Sequence, residues 1–450
     1  MNADECSYHW QWHRRKYGRK IYPPAFQRRD HHDLRRVEYP FSRTALMYIF
    51  MGHMKWDHTL LFEKSFWKKN KIQLIHAKVN RINTSTSCIT LSGGENLSYE
   101  KLIIATGSNP VIPEEHWIAL RGVQCLYHRA DLNQLEARAQ SGIRHAVIAG
   151  GGLIGIELAE MLHSRGIPTT FLIRENSYWG NVLPEEESFM INRHIKSMGI
   201  NLKTEEEIDH IEGLTDVQAV ITKKGEKINC DFVGITMVVY PQKKLAVEAG
   251  IECNIGILID EYLRTSDEKI FAIGDCAELR RPAQGRRAVE AVWFCGRTMG
   301  TIAAANICGQ RKQYKQGIWF NAAKFFSIEY HVYGYVPVRD DNTESLFWMN
   351  DTEIRSIRLV YDKRSYKILG FNLMGIRYRH ELCEFWIENQ TNLREVVTHL
   401  PLANFDPEFS DSFEIEILRK YNQRFSDQAF LLADRRLDDV AKYIRQKQMQ

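Results

Sequence analysis

The chain has 450 residues, 44% of them hydrophobic, with 60 Lys and Arg against 56 Asp and Glu and a formal net charge of +4. That is long enough for two or three domains with real cores and too apolar for intrinsic disorder, and it excludes a small disulfide-stapled module. No stretch approaches the roughly 20 apolar residues needed to cross a bilayer, and no signal-peptide pattern opens the chain, so a cytoplasmic protein without a membrane span is expected.

Residues 1–38 carry nine Lys or Arg against five Asp or Glu, which accounts for the whole excess of positive charge. A nucleic-acid partner would rest on this tail alone, and none is expected. The tail opens MNADECSYHWQWHRRKYGRK, polar and basic, with no strand pattern, and its five acids argue against a transit peptide. The nine cysteines of the chain are scattered, with no CxxC or CxxxxC pair, so free thiols and no metal site are expected.

Residues 39–46 read YPFSRTAL and include Arg43; residues 72–79 read IQLIHAKV and end at Val79. Residues 99–110, YEKLIIATGSNP, are an apolar strand running into the small-residue turn Ala105-Thr106-Gly107. Residues 146–175 read as a complete βαβ unit. The strand Ala146-Val147-Ile148-Ala149 meets Gly150-Gly151-Gly152-Leu153-Ile154-Gly155, a GxGxxG. Ile154, Leu158, Met161 and Leu162 then recur at helical spacing, Gly166 and Pro168 stop the helix, and a second strand over 170–173 closes at Arg174-Glu175.

The three glycines serve different physical ends, which are a tight turn, close approach of a pyrophosphate, and close packing of helix on strand. The helix start adds N–H groups and a positive dipole end for that pyrophosphate. A lone GxGxxG is weak, but here strand, helix, second strand and terminal charged pair all fall in place, so a dinucleotide site is expected. Ile173 stands where an NAD site usually has its ribose-binding acid. Arg174 favours a 2′-phosphate and Glu175 opposes it, which leaves NADH against NADPH open.

Residues 256–278, GILIDEYLRTSDEKIFAIGDCAE, give strand, turn and strand, finishing at Gly274-Asp275; a helix follows over about 290–306, with Trp293 near its start. Residues 319–336 are aromatic and strand-like, and residues 357–361 and 368–371 flank a turn at Asp362-Lys363 as a hairpin. From Ser412 the chain turns helical, with Ala433, Leu437, Val440 and Ile444 as one apolar stripe of a docking helix.

The GxGxxG, the ATG turn and the GD motif, in this order and spacing, resemble the FAD and NAD(P) two-dinucleotide-domain flavoproteins of the pyridine nucleotide-disulfide oxidoreductase superfamily, over about residues 39–310. Residues 39–46 look like the flavin-wrapping segment of the ferredoxin-, rubredoxin- and nitrite-reductase-like NAD(P)H reductase branch. The resemblance implies an α/β fold of two Rossmann-like dinucleotide-binding domains, the FAD domain interrupted by the NAD(P) domain, plus a small C-terminal α+β domain. The implied boundaries are 39–112 and 239–311 for FAD, 113–238 for NAD(P), 312–411 for a C-terminal interface domain packed on the flavin domain, and 412–450 for terminal helices.

FAD and NAD(P)H are the implied cofactors. Arg43 is the cationic flavin contact, Val79 ends the strand whose backbone meets the adenine, and Ala105, Thr106 and Gly107 mark the crossing between domains near FAD. Gly274 allows close backbone approach. Asp275 holds the ribityl chain or, on the alternative, caps the following helix; Trp293 faces the flavin or is an ordinary core aromatic. Gly150, Gly152, Leu153, Ile154, Gly155, Glu157, Arg174 and Glu175 belong to the NAD(P) site. The usual glycine and asparagine of the returning segment 234–242 are replaced near Val238 and at Gln242, which leaves that loop's contacts open. Asn321, Lys324 and Glu329 approach the flavin face or are plain surface residues.

A disulfide reductase needs two cysteines beside the flavin, and that region has none. His399 lacks the context of a C-terminal acid/base, and a lone loop histidine is more often structural. The expected activity is NAD(P)H:acceptor oxidoreduction, with hydride passing to flavin N5 and then electrons to a small-molecule or redox-protein acceptor, with no catalytic side chain required. A homodimer through the C-terminal domain is one expected assembly.

In this superfamily the chain should open with a strand and a GxGxxG for FAD, which residues 1–38 lack. Trp is TGG, and Gln and His codons begin with C, so reading one nucleotide later turns Trp10 and Trp12 into glycine. Arg15 follows for some codons, giving GxGxxG spacing. Residues of about 6–37 are therefore read as an out-of-frame remnant of the first FAD βαβ unit. The alternative, if that loop is truly absent, is a non-catalytic NAD(P)-binding sensor or subunit.

Overall fold

The computed structural model describes residues 39–111, 116–405, 408–409, 411–433 and 439–448. The segment of about residues 6–37 that is read above as out of frame, and Leu437, lie outside the described residues. The chain divides into two compact units, Met1–Val111 with Tyr127–Ala137 and Val238–Gln316, and Ile112–Leu126 with Arg138–Met237 and Gly317–Gln450. The architecture is mixed α/β.

In the first unit, Leu102–Ile104 pairs in parallel with Ile270–Ala272, and Ser108–Pro110 pairs antiparallel with Val239–Pro241. A three-stranded antiparallel sheet, Val79–Asn83, Cys88–Leu91 and Asn96–Ser98, packs beside them. One core joins Val79, Ile104, Ile257, Phe271 and Met299, the last from the helix Trp293–Ile307. The strand expected over 72–79 is not formed: pairing begins only at Val79, opposite Leu91. A strand needs a hydrogen-bonded neighbour, and no ladder is made by 72–78 among the described residues.

The second unit holds a five-stranded parallel sheet in the order Val123–Gln124, Phe232–Ile235, Ala146–Ala149, Thr169–Leu172, Asn201–Lys203. Every residue of Ala146–Ala149 and Phe232–Ile235 is buried, as expected of a parallel sheet covered on both faces.

A second, antiparallel sheet of this unit runs in the order Phe320–Phe325, Ile328–Gly334, Ile368–Met374, Ser356–Asp362, Thr343–Met349. The predicted hairpin is its centre. Side chains alternate across a strand, so Ile357, Leu359 and Tyr361 enter one core with Trp386, Val397 and Ile417, from the helices His380–Glu388, Leu393–His399 and Glu414–Arg424. Arg358, between them, points the other way. Its guanidinium binds Glu187 at 2.7 Å through both Nε and Nη2, and Glu186 at 2.7 Å. Glu187 lies in the helix Glu185–Ser197 of the nucleotide domain and is fully buried.

This pair and the Lys324–Glu160 pair, 2.6 Å, dock the C-terminal sheet on the nucleotide domain, a contact that the sequence does not announce. The contacting charges come from strands and helices far apart in the chain, and no local pattern links them. The last helix is Asp439–Gln448; Val440 and Ile444 pack on the core, while Ala433 precedes the helix and bonds through its N–H to Thr398 O. No helix among the described residues is long and apolar enough to cross a membrane.

Candidate functional site

Two candidate sites are described, each within one unit. In the second unit, strand Ala146–Ala149 delivers the glycine loop to the start of the helix Leu153–Ser164. Gly150 has φ +120°, and a Cβ there would sit 2.5 Å from Thr236 O; at Gly155 it would sit 2.2 Å from Gly150 O. Neither position tolerates a side chain. Gly152 is the N-cap and has no side chain to occupy the helix start, which leaves that end open to an anion. The loop is held from behind: Thr236 donates from Oγ1 to Gly150 O at 3.0 Å, and Tyr178 Oη donates to Gly152 O at 3.2 Å.

Charge around the loop is tuned by burial. Desolvation, with the charge of Glu160 on the same helix, draws the Glu157 carboxyl up to about 7. Burial, with Glu157 nearby, holds the Tyr178 hydroxyl well above the ordinary phenol range, so it stays a donor. At the end of Thr169–Leu172, the Ile173 side chain lies over Gly151, and a Cβ on Gly151 would lie 3.8 Å from Glu175 Oε2. Arg174 pairs with Glu175 at 3.1 Å.

In the first unit, the Ala105-Thr106-Gly107 turn is closed by backbone: Gln242 N–H donates to Gly107 O at 2.8 Å, and Thr106 Oγ1 donates to Gln242 O at 2.5 Å. The contact is made by the main chain of residue 242. Val238 likewise acts through its carbonyl, which accepts from Val111 N–H at 2.8 Å. Ser108 Oγ donates to Asp275 Oδ2 at 2.9 Å and lies 2.6 Å from Tyr127 Oη. The Arg43 guanidinium stands 4.1 Å over the Tyr127 ring.

The space beside Gly107 and Gly274 is open, with nothing within 4 Å of a Cβ built at either. Asp275 occupies the 3-10 turn Gly274–Cys276 and faces Ser108; the helix Trp293–Ile307 has Val292 as its N-cap without a side-chain bond, so the capping role is not what Asp275 performs. Trp293 is 58% exposed, so it is no core aromatic. Open backbone beside a carboxylate fits a polyhydroxyl chain.

A protein-family model described as pyridine nucleotide-disulphide oxidoreductase matches residues 31–293, more than half of the chain. The chain belongs to this family. FAD and NAD(P)H are the cofactors that go with it, and the glycine cradle and the Asp275 turn fit them. The large subunit of nitrite reductase (NADH) from Escherichia coli is 28% identical over 345 residues, 74% of this chain and 39% of that protein. Rubredoxin-NAD(+) reductase of Pseudomonas putida is 27% identical over 60% of this chain and 71% of that one. The chain thus spans about two fifths of the nitrite reductase subunit it matches. A ferredoxin reductase structure from Rhodopseudomonas palustris covers 92% of this chain and 95% of its own, with TM-score 0.74 and 20% identity, a likeness of fold.

Within this family frame the sequence shows the glycine loop, the ATG turn and Asp275, and does not show Ser108, Tyr127, Thr236 and Tyr178. Ser108 alone had a signal, its place directly after the ATG. The others approach from distant segments. Val79 is buried in its strand, and Ala105 lies in the closed turn. Lys324 and Glu329 are engaged by Glu160 and Arg377, and Asn321 Oδ1 accepts from the backbone N–H of Ala322. His399 packs on Tyr443, its ring nitrogen 2.9 Å from Glu395 O, a structural setting.

Proposed function

We propose that this protein is an FAD-dependent NAD(P)H:acceptor oxidoreductase working without a redox-active disulfide. The observation that carries the reading is the glycine cradle, in which Gly150 and Gly155 leave no room for a Cβ and the helix start is capped by no side chain, combined with family membership. When bound, the two cofactors supply hydride donor and hydride acceptor, and the protein's part is to hold and orient them.

The nucleotide loop would hold a pyrophosphate by its N–H groups, its shape fixed by Thr236 and Tyr178. Asp275, oriented by Ser108, would accept hydrogen bonds from the hydroxyls of a ribityl chain, with Arg43 beside it through Tyr127. The described cysteines are free, and burial pushes the Cys276 and Cys295 thiols up, the latter to about 12, which suits neither as an attacking thiolate. The final acceptor is a redox protein or a small oxidant. Support for the protein class comes from relatives whose names carry rubredoxin and ferredoxin.

The test is a visible spectrum of the purified protein, followed by anaerobic addition of NADH or NADPH. Flavin bands that bleach support the reading. A colourless protein that still binds nucleotide favours the second reading, a nucleotide-binding sensor or subunit, which rests on residues 1–38 carrying no GxGxxG as written. A panel of acceptors then identifies the electron sink.

A further inference from the structure

We infer that Tyr127 is a positioning residue for the flavin site: acting through Ser108, it fixes the direction in which Asp275 offers its carboxylate to a ribityl hydroxyl. The inference rests on the proposed flavin reading. A carboxylate only accepts hydrogen bonds, so Ser108 Oγ gives its one proton to Asp275 Oδ2, at 2.9 Å. The 2.6 Å contact between Ser108 Oγ and Tyr127 Oη is then donated by the phenol. The three groups form a one-way chain, from Tyr127 to Ser108 to Asp275. It ends on Oδ2, and Oδ1 takes no bond from the described residues, which leaves it to accept from a ligand. Ser108 and Tyr127 are both 5% exposed, so water does not readily replace either link. A serine hydroxyl has three staggered rotamers, and the bond from Tyr127 selects the one that faces Asp275.

Tyr127 is itself held by its backbone and by its ring. Its N–H and that of His128 donate to Asp131 Oδ2 at 2.8 and 2.6 Å, which fixes the entry to the helix Arg129–Ser141. Its ring lies under the Arg43 guanidinium at 4.1 Å, and Arg129, two residues on, lies over the Trp56 ring at 4.2 Å. The two cation–π contacts are crossed, since residues 41–60 and residues 127–129 each contribute one guanidinium and one ring. A shift of one segment along the other would lose both. Phe41 bridges Leu60 and meets Trp56 edge to face, with ring centroids 5.7 Å apart, which closes the first segment on itself. Among the described residues neither Arg43 nor Arg129 pairs with a carboxylate, so no acid draws either guanidinium from its ring. All of these residues belong to the first unit.

The experiment titrates the full-length, flavin-free chain with FAD, followed by flavin fluorescence, for the unaltered protein, Tyr127→Phe, Ser108→Ala and the double variant. Tyr127→Phe keeps the ring under Arg43 and removes only the hydroxyl. It is expected to weaken FAD binding about fivefold, as for one lost hydrogen bond. In the Ser108→Ala background the same change is expected to add nothing, because the chain is already cut there; a merely structural tyrosine would show no such dependence on Ser108. Unchanged affinity in Tyr127→Phe, or an equal loss with Ser108 present and absent, overturns the assignment while leaving the flavin reading intact. An unaltered protein that binds no FAD overturns both. Should Tyr127→Phe fail to fold, Ser108→Ala is expected to weaken FAD binding and Ser108→Thr, which keeps the hydroxyl, to restore it; equal affinity in those two overturns the assignment.

Discussion

The hydroxyl of Tyr178 donates to the carbonyl of Gly152 at 3.2 Å, joining a fully buried aromatic to the N-cap of the nucleotide helix. Tyr178 also stacks on Trp179 and meets Phe325 edge to face, so the first strand of the C-terminal sheet supports the glycine loop through it. Tyr178→Phe keeps the packing and removes one buried donor. Expected are a loss of about 1 kcal/mol in stability and a several-fold weaker nucleotide affinity, measured by denaturant midpoint and by titration with NAD⁺.

Arg358 and Glu187 form the buried pin between the C-terminal sheet and the nucleotide domain, with Asn372 adding a 3.1 Å bond to Glu187 Oε1. Arg358→Ala strands a fully buried carboxylate and is expected to cost about 3–5 kcal/mol. Replacing both partners together, Arg358→Met with Glu187→Leu, is expected to recover most of that loss, since no buried charge remains. Urea unfolding of the single and double variants checks it.

Glu157 titrates near 7 when folded, against an ordinary value of 4.5, through desolvation first and Glu160 second. Between those values the folded state holds the extra proton, so this group's contribution favours folding at low pH and turns against it as pH rises towards 7 and above. Glu157→Gln is therefore expected to stabilise the protein by about 1–3 kcal/mol at pH 8 and by almost nothing at pH 4. Thermal unfolding across that range should show the two proteins converging as pH falls.

Asp275→Asn keeps shape but converts an acceptor-only carboxylate to an amide. Loss of a charge-assisted hydrogen bond of about 1.5–3 kcal/mol corresponds to roughly tenfold or more in FAD retention. Ser108 keeps Tyr127 as a partner, so the fold should survive. The flavin-to-protein absorbance ratio after purification is the measurement, and unchanged FAD content would remove Asp275 from the site.

The gene should carry paired frame changes bracketing the codons of about residues 6–37. Sequencing it decides the matter: an uninterrupted frame shows the tail is genuine. Restoring the frame is expected to raise FAD affinity, because a pyrophosphate regains a helix start.

The sequence by itself determined the βαβ unit, because a parallel strand, a glycine turn and an amphipathic helix are written in consecutive residues, and local sterics admit few alternatives at Gly150 and Gly155. It also located the ATG turn and Asp275, motifs a few residues long. What brought Ser108 to Asp275, Gln242 to Gly107 and Tyr178 to Gly152 was tertiary folding across 167, 135 and 26 positions respectively. Only the fold decided that the Glu175 carboxylate reaches the glycine loop beside Ile173, and that Arg358 holds the C-terminal sheet to the nucleotide domain. Hydrophobic periodicity says which face is buried and is silent about which distant charge meets it there, since such pairs are settled by the packing of whole elements.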